Sequence, residues 1–189
     1  MLTRTHKMVL TALFASLTAV GAFIRIPLPF VPFTLQFLFC AYAGVFLGSK
    51  LGLYSQLLYV GIGLAGVPIF TQGGGPGYIF QPTFGYLIGF IFCAYIIGRF
   101  TENLNDISFV KIFFPVILGL MVVYAVGVPY LYFISNIYLG ETLTVFQAIA
   151  AGFLPHILPD IFLSIIVVLT AVRVVPVIKR NGYIAWQKG

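Results

Sequence analysis

Apolar residues run in six long stretches along this chain, separated by short segments that carry glycine, proline or charge. An α-helix needs about 20 apolar residues to cross the hydrocarbon core of a bilayer. The pattern therefore predicts an all-α integral membrane protein in which residues 1–189 form a single domain. The six predicted transmembrane helices cover approximately residues 8–24, 34–48, 51–70, 78–98, 112–134 and 160–175. The second is short for a full span, and prolines interrupt a further apolar stretch before the sixth.

Composition agrees with this assignment. Of the 189 residues, 61% are apolar and 7% are charged, and the mean hydropathy is +1.09. A soluble domain carries about 25% charged residues, so this chain has too few to cover a surface in water. The sequence also has no P-loop motif. Energy for any uphill transport is therefore expected to come from another protein.

The charges predict an orientation. Basic residues accumulate in cytoplasmic loops, and an N-terminus inside the cell places nine of the ten on that side. These nine are Arg4, Lys7, Lys50, Arg99, Lys111, Arg173, Lys179, Arg180 and Lys188. We therefore expect a plasma-membrane protein with both termini in the cytoplasm. The net charge of +6 then reflects the orientation of the chain in the membrane, and we expect no nucleic-acid partner. An alternative for the first stretch is a cleaved signal peptide, because basic residues precede it and small residues end it.

The three outward connections are irregular. Residues 25–33 (RIPLPFVPF) contain three prolines yet remain apolar, so they are expected to fold back against the protein instead of forming a helix. Residues 72–77 (QGGGPG) allow the chain to approach a ligand closely, and residues 136–160 are broken near their end. Irregular backbone at membrane depth is tolerated where it lines a cavity. The pattern therefore predicts irregular outward loops over a substrate cavity.

Three polar residues are the main candidates for that cavity. Asp160 within a span costs roughly 2.5–3.5 kcal/mol on insertion scales, which marks a functional site; the alternative is an interfacial helix N-cap. Gln36 presents a donor and an acceptor, although it also suits an interhelical hydrogen bond. Arg25 is the natural partner of a ligand carboxylate, unless it extends to lipid phosphates.

Further candidates surround these three. Gln72, Gln81 and Thr83 flank the glycine segment, and Tyr86 with Phe80 and Phe84 offers an aromatic wall, the alternative being an interfacial aromatic belt. The two cysteines lie in apolar runs and the two histidines do not cluster with them, so we predict no metal site, no cofactor and no catalytic residue.

Small residues recur on the first predicted helix, at Ala12, Ala15, Ser16 and Ala19. Such a spacing lets another helix approach closely. The face either packs within the protein or docks a separate membrane subunit.

Several segments carry a family resemblance. They are ALFASLTAVGA at 12–22, PLPFVPFTLQ at 27–36, GLAGVPIF at 63–70 and PTFGYLIGF at 82–90, followed by Asp160. With them, nearly the whole chain resembles the BioY family of biotin-binding proteins, the substrate-capture (S) components of energy-coupling factor (ECF) transporters. Two departures stand out: QPTFGY at 81–86 differs from the family's usual GPTGGY, and Leu163 stands where the family usually has a lysine after the aspartate.

The resemblance implies a ligand and roles for the candidates. Asp160 would accept from the N–H groups of biotin's ureido ring, Gln36 would donate to its carbonyl, and aromatic residues such as Tyr86 would enclose the rings. For the tail carboxylate the candidates are Arg25, Thr34 and the amides of the glycine segment around Gly74, which the sequence does not rank. Either segment 25–35 or segment 72–77 would act as a lid over the closed pocket.

The resemblance also implies partners, namely a transmembrane coupling protein and two ATPases, with docking through the alanine face that includes Ala15 and Ala19. Three alternatives remain: an S component for another vitamin, a secondary transporter, and a small membrane enzyme. His156 and Asp160 stand four residues apart, as an acid–base pair on a helix would. No nucleophile accompanies them, and prolines flank His156.

Overall fold

The computed structural model describes residues 3–104 and 106–180. Predictions that concern Lys188 and the C-terminal end lie outside these residues. The secondary structure of the described part consists of helices and one pair of two-residue strands. Five of its helical segments are long and apolar enough to cross a membrane. The prediction of an all-α membrane protein is confirmed at this level. The elements are α1 Arg4–Phe23, β1 Arg25–Ile26, β2 Phe33–Thr34, α2 Gln36–Leu64, α3 Phe84–Thr101, α4 Phe109–Ile137, α5 Val145–Gly152 and α6 Leu154–Arg180.

Helix α2 reverses direction at Gly48. This residue has φ +78°, a conformation that glycine adopts without steric cost. Gln36 Nε2 lies 2.8 Å from the Tyr59 hydroxyl, whereas 23 residues of straight helix would separate them by about 34 Å. The arms 36–47 and 49–64 are therefore antiparallel, and they correspond to the second and third apolar stretches. The second arm ends at Leu64, earlier than the predicted residue 70.

Helices α3 and α6 begin about six residues away from the predicted starts at 78 and 160. Helix α3 begins at Phe84, because the preceding Pro76–Phe80 forms a separate 3₁₀ turn. Helix α6 begins at Leu154, because Pro155 falls in the first turn, where a missing backbone N–H costs nothing. The helical break lies instead at Phe153, between α5 and α6. His156 is consequently helical. The sequence did not decide this, because prolines flank His156.

The proline-rich segment folds back as predicted, but as a β-hairpin, which the sequence did not indicate. Strand β1 pairs antiparallel with β2, with Arg25 opposite Thr34 and Ile26 opposite Phe33. The turn places Phe30 at φ +63°. Val31 is buried against the helices, so the segment closes one end of the bundle. We call residues 25–34 the hairpin.

Helices α2, α3 and α4 pack side by side, α1 packs on α2, and α6 packs against both α2 and α4. Their buried residues form one continuous hydrophobic core. Cys40 and Cys93 lie within it as free thiols. The hairpin lies at the end of the bundle opposite the Gly48 reversal, since only Leu35 separates β2 from α2.

Candidate functional site

A cavity of about 50 Å³ lies beneath the hairpin, between α2, α3, α4 and α6. Its apolar wall comprises Val31, Pro32, Phe33, Phe37, Leu87, Phe90 and Val123. Its polar lining comprises Thr34, Gln36, Thr71, Thr83, Tyr86, Tyr124, His156 and Asp160. The combination of apolar walls with a few convergent polar groups is typical of a small-molecule site.

Asp160 is the carboxylate of this cavity. It is 7% exposed, and its Oδ2 accepts a hydrogen bond of 2.5 Å from the Tyr124 hydroxyl of α4. Among the hydrogen bonds of the described residues none involves Oδ1, which leaves that oxygen for a ligand donor. Asp160 lies in the second turn of α6, so the N-cap interpretation of this residue is wrong.

Gln36 is held by its neighbours in one orientation. The Tyr59 hydroxyl donates to the carbonyl of Ile69 at 3.1 Å, so it accepts from Gln36 Nε2 at 2.8 Å. The Thr34 hydroxyl donates to Gln36 Oε1 at 3.0 Å. An amide nitrogen carries two hydrogens, so the second N–H of Gln36 remains available to an acceptor in the cavity.

Tyr86 contributes its ring to the cavity wall, as the aromatic-wall interpretation predicts. Its hydroxyl donates to the carbonyl of Gly152 at 2.9 Å, which ties α3 to the end of α5. Thr83 also reaches the cavity, with its hydroxyl 2.9 Å from that of Tyr78. Phe84 packs on Tyr130 instead, outside the cavity.

Besides Phe80 and Phe84, four further predicted candidates do not line the cavity. Arg25 is exposed, and its guanidinium donates to the carbonyl of Thr71. Gly74 is exposed, and Gln72 lies exposed beside it. Gln81 is half-buried and ends the 3₁₀ turn with its backbone N–H. The structure thus separates the predicted carboxylate partners Arg25 and Gly74 from Asp160 and Gln36, while it keeps Thr34 with them.

Sequence reasoning missed Tyr124 as a site residue and considered His156 only for an enzyme. His156 carried a signal, its spacing of four residues from Asp160 on one helix face. Tyr124 carried none, because it lies in a uniformly apolar stretch. Leu163, where the family resemblance implies a lysine, is buried in the core.

The small residues of α1 do not share one exposed face, and the docking face stays a prediction. Ala15 is 4% exposed and belongs to the core, and Ala19 is half-buried against it. Ala12 and Ser16 are exposed. Ala15 and part of Ala19 therefore pack inside the protein, whereas Ala12 and Ser16 are open to a neighbouring helix.

Comparisons with known proteins agree with this architecture. A probable biotin transporter BioY of Lysinibacillus sphaericus is 47% identical over 175 residues, covering 93% of this chain and 89% of that protein. The biotin transporter BioY of Thermotoga maritima is 36% identical, with 89% and 95% covered.

A solved structure of the S-component for biotin from an ECF-type ABC transporter superposes with a TM-score of 0.80 at 26% identity. The match covers 93% of this chain and 95% of that one. The family model described as "BioY family" matches residues 1–180. This family consists of transporter components, not enzymes. Together with the relatives aligned along most of their length, this match shows that the chain belongs to the BioY family.

Proposed function

We propose that this protein captures biotin outside the cell and delivers it across the plasma membrane as the S component of an ECF transporter. The observation that carries the proposal is Asp160, a buried carboxylate oriented by Tyr124 in a mostly apolar cavity. The names of the relatives support the choice of biotin over another vitamin.

The cavity chemistry suits the ureido ring of biotin. Asp160 Oδ1 accepts from a ureido N–H, and the second N–H of Gln36 donates to the ureido carbonyl. The bicyclic ring packs on the aromatic wall that includes Phe33 and Tyr86. In a site closed to water, each of these polar groups needs its partner, so a ligand without the ureido group binds far less tightly.

The hairpin acts as the lid in this proposal. A cavity of about 50 Å³ holds a few water molecules, which is less than biotin occupies. The ligand therefore enters when the hairpin moves away and is enclosed when it returns. Segment 72–77 lines no part of the cavity, which favours the hairpin over the glycine segment as the lid.

The membrane arrangement follows from the same proposal. The antiparallel arms of α2 count as two spans, giving six, with both termini in the cytoplasm. Exposed Ala12 and Ser16 on α1 offer close approach to the coupling protein. Two partner ATPases supply the energy, and the chain itself needs no cofactor.

Calorimetry on detergent-purified protein tests the proposal. Biotin should bind tightly, and Asp160→Asn should weaken binding by tenfold or more, about the value of one hydrogen bond to a charged group. Asp106→Asn is the matched control, because the Asp106 side chain is 88% exposed in a loop. Dethiobiotin keeps the ureido ring and should compete, whereas riboflavin should not. Tight riboflavin binding without biotin binding would overturn the assignment in favour of another vitamin.

A further inference from the structure

His156 occupies the cavity one helical turn before Asp160, and nothing in the proposed function so far uses it. It is 5% exposed. Its Nε2 lies 3.0 Å from the carbonyl oxygen of Val31 in the hairpin. The ring of Phe33, also in the hairpin, lies 6.4 Å away between centroids. The hairpin thus holds the imidazole in one orientation.

The contact with Val31 determines the state of the ring. A carbonyl oxygen only accepts, so Nε2 carries the hydrogen, and in a neutral imidazole the other nitrogen is then an acceptor. Nδ1 is buried and has no hydrogen-bond partner among the described residues. A protonated ring would bury a charge, which is more costly still. His156 lines the cavity, and its Nδ1 is an acceptor that lacks a partner among the described residues.

We infer that His156 is a ligand-binding residue whose Nδ1 accepts a hydrogen bond from the second ureido N–H, while Asp160 accepts from the first. The inference rests on the proposed function and deepens it. Residues four apart on a helix face are about 5–6 Å apart at Cβ. The two N–H groups of a cyclic urea diverge, so they reach acceptors on either side of the ring at about 2.9 Å each.

This arrangement makes the site selective for a group with two adjacent donors. A ligand that lacks one N–H leaves a buried acceptor unpaired, and sites of this kind reject such analogues strongly.

Two substitutions separate ligand binding from support of the hairpin. His156→Asn places an acceptor near the position of Nδ1 and loses the bond to Val31. His156→Gln places a donor near the position of Nε2, keeps that bond and loses the inner acceptor. We expect His156→Asn to bind biotin within about threefold of the unmodified protein and His156→Gln to bind at least about tenfold more weakly. The opposite order, or no effect of either, would overturn the inference in favour of a purely structural histidine.

Biotin methylated on either ureido nitrogen gives a second test. One of the two analogues should bind the unmodified protein about tenfold more weakly than biotin and show no such difference with His156→Gln. Equal discrimination by both proteins would contradict the contact. Failure of the unmodified protein to bind biotin would overturn the proposed function, and this inference with it.

Nitrogen-15 NMR of the unmodified protein tests the contact between Nδ1 and the ureido N–H if both variants fold poorly. The chain has two histidines, so His6→Gln assigns the signals. On addition of biotin the Nδ1 resonance of His156 should move toward that of a hydrogen-bonded acceptor, while Nε2 stays that of a donor. An unchanged Nδ1 resonance at saturating biotin would exclude the contact.

Discussion

The Tyr124 hydroxyl donates a 2.5 Å hydrogen bond to Oδ2 of Asp160, joining α4 to α6 at the cavity. Both residues are buried. The bond satisfies one oxygen of the carboxylate and leaves the other without a hydrogen bond among the described residues. A single contact between helices thereby both lowers the cost of burying Asp160 and directs it toward a ligand.

Loss of this hydroxyl should destabilise the protein. Tyr124→Phe leaves Oδ2 of Asp160 buried without its donor, which costs about 1–3 kcal/mol. We expect a lower Tm in detergent, measured by thermal unfolding, together with weaker biotin binding. Tyr95→Phe is the control, because Tyr95 is 40% exposed on α3. Equal Tm values for the two variants would show that the bond contributes nothing.

Arg25 should act on the lid and not on the ligand's carboxylate. Its guanidinium donates to the carbonyl of Thr71, and Arg25 itself does not line the cavity. Arg25→Gln should therefore raise the dissociation rate of biotin and of biotinamide, its uncharged amide, by the same factor. Stopped-flow measurements with both ligands decide this. A faster dissociation of biotin alone, without a change for biotinamide, would show instead that Arg25 pairs with the carboxylate.

Docking of the coupling protein should depend on Ala12 and Ser16. A tryptophan at either exposed position prevents close helix approach, so uptake of labelled biotin by cells with the coupling proteins should fall strongly while binding in detergent is retained. Ala15→Trp should differ by lowering the Tm, because Ala15 is buried against α2.

Phe92→Trp is the control for this docking prediction, since Phe92 is 49% exposed on α3. Undiminished uptake by both the Ala12→Trp and Ser16→Trp variants would place the docking surface elsewhere.

Gly98 of α3 packs so closely against the reversal of α2 that there is no room for a side chain at this position. A Cβ there would overlap the backbone of Gly48 and Ser49, and backbone cannot move aside cheaply in a packed core. Gly98→Ala should lower the Tm clearly. Gly61→Ala is the matched control, because a Cβ at this exposed position of α2 meets no atom within 4 Å. Alanine favours helix over glycine by about 1 kcal/mol, so the Gly61→Ala control should keep or raise the Tm. A similar fall in Tm for both variants would contradict the close approach at Gly98.

The sequence alone was sufficient for the class of protein, the apolar stretches and the residues that bear the resemblance to the family. It also identified Asp160 and Gln36, because a polar residue in a lipid-spanning stretch is costly and therefore conspicuous. The inward fold of segment 25–33 followed from apolar residues that prolines exclude from a helix.

Only the tertiary structure decided which side of each helix faces the cavity. Lipid is as apolar as a protein core, so hydropathy has no inward period in a membrane helix, and Tyr124 and Ala15 gave no signal of their partners. The same limit explains why Arg25 and Gly74 were grouped with Asp160, although the hairpin and the turn after α2 hold them outside. Chain composition thus determined that this protein lies in a membrane, whereas packing between helices determined which of its residues line the cavity.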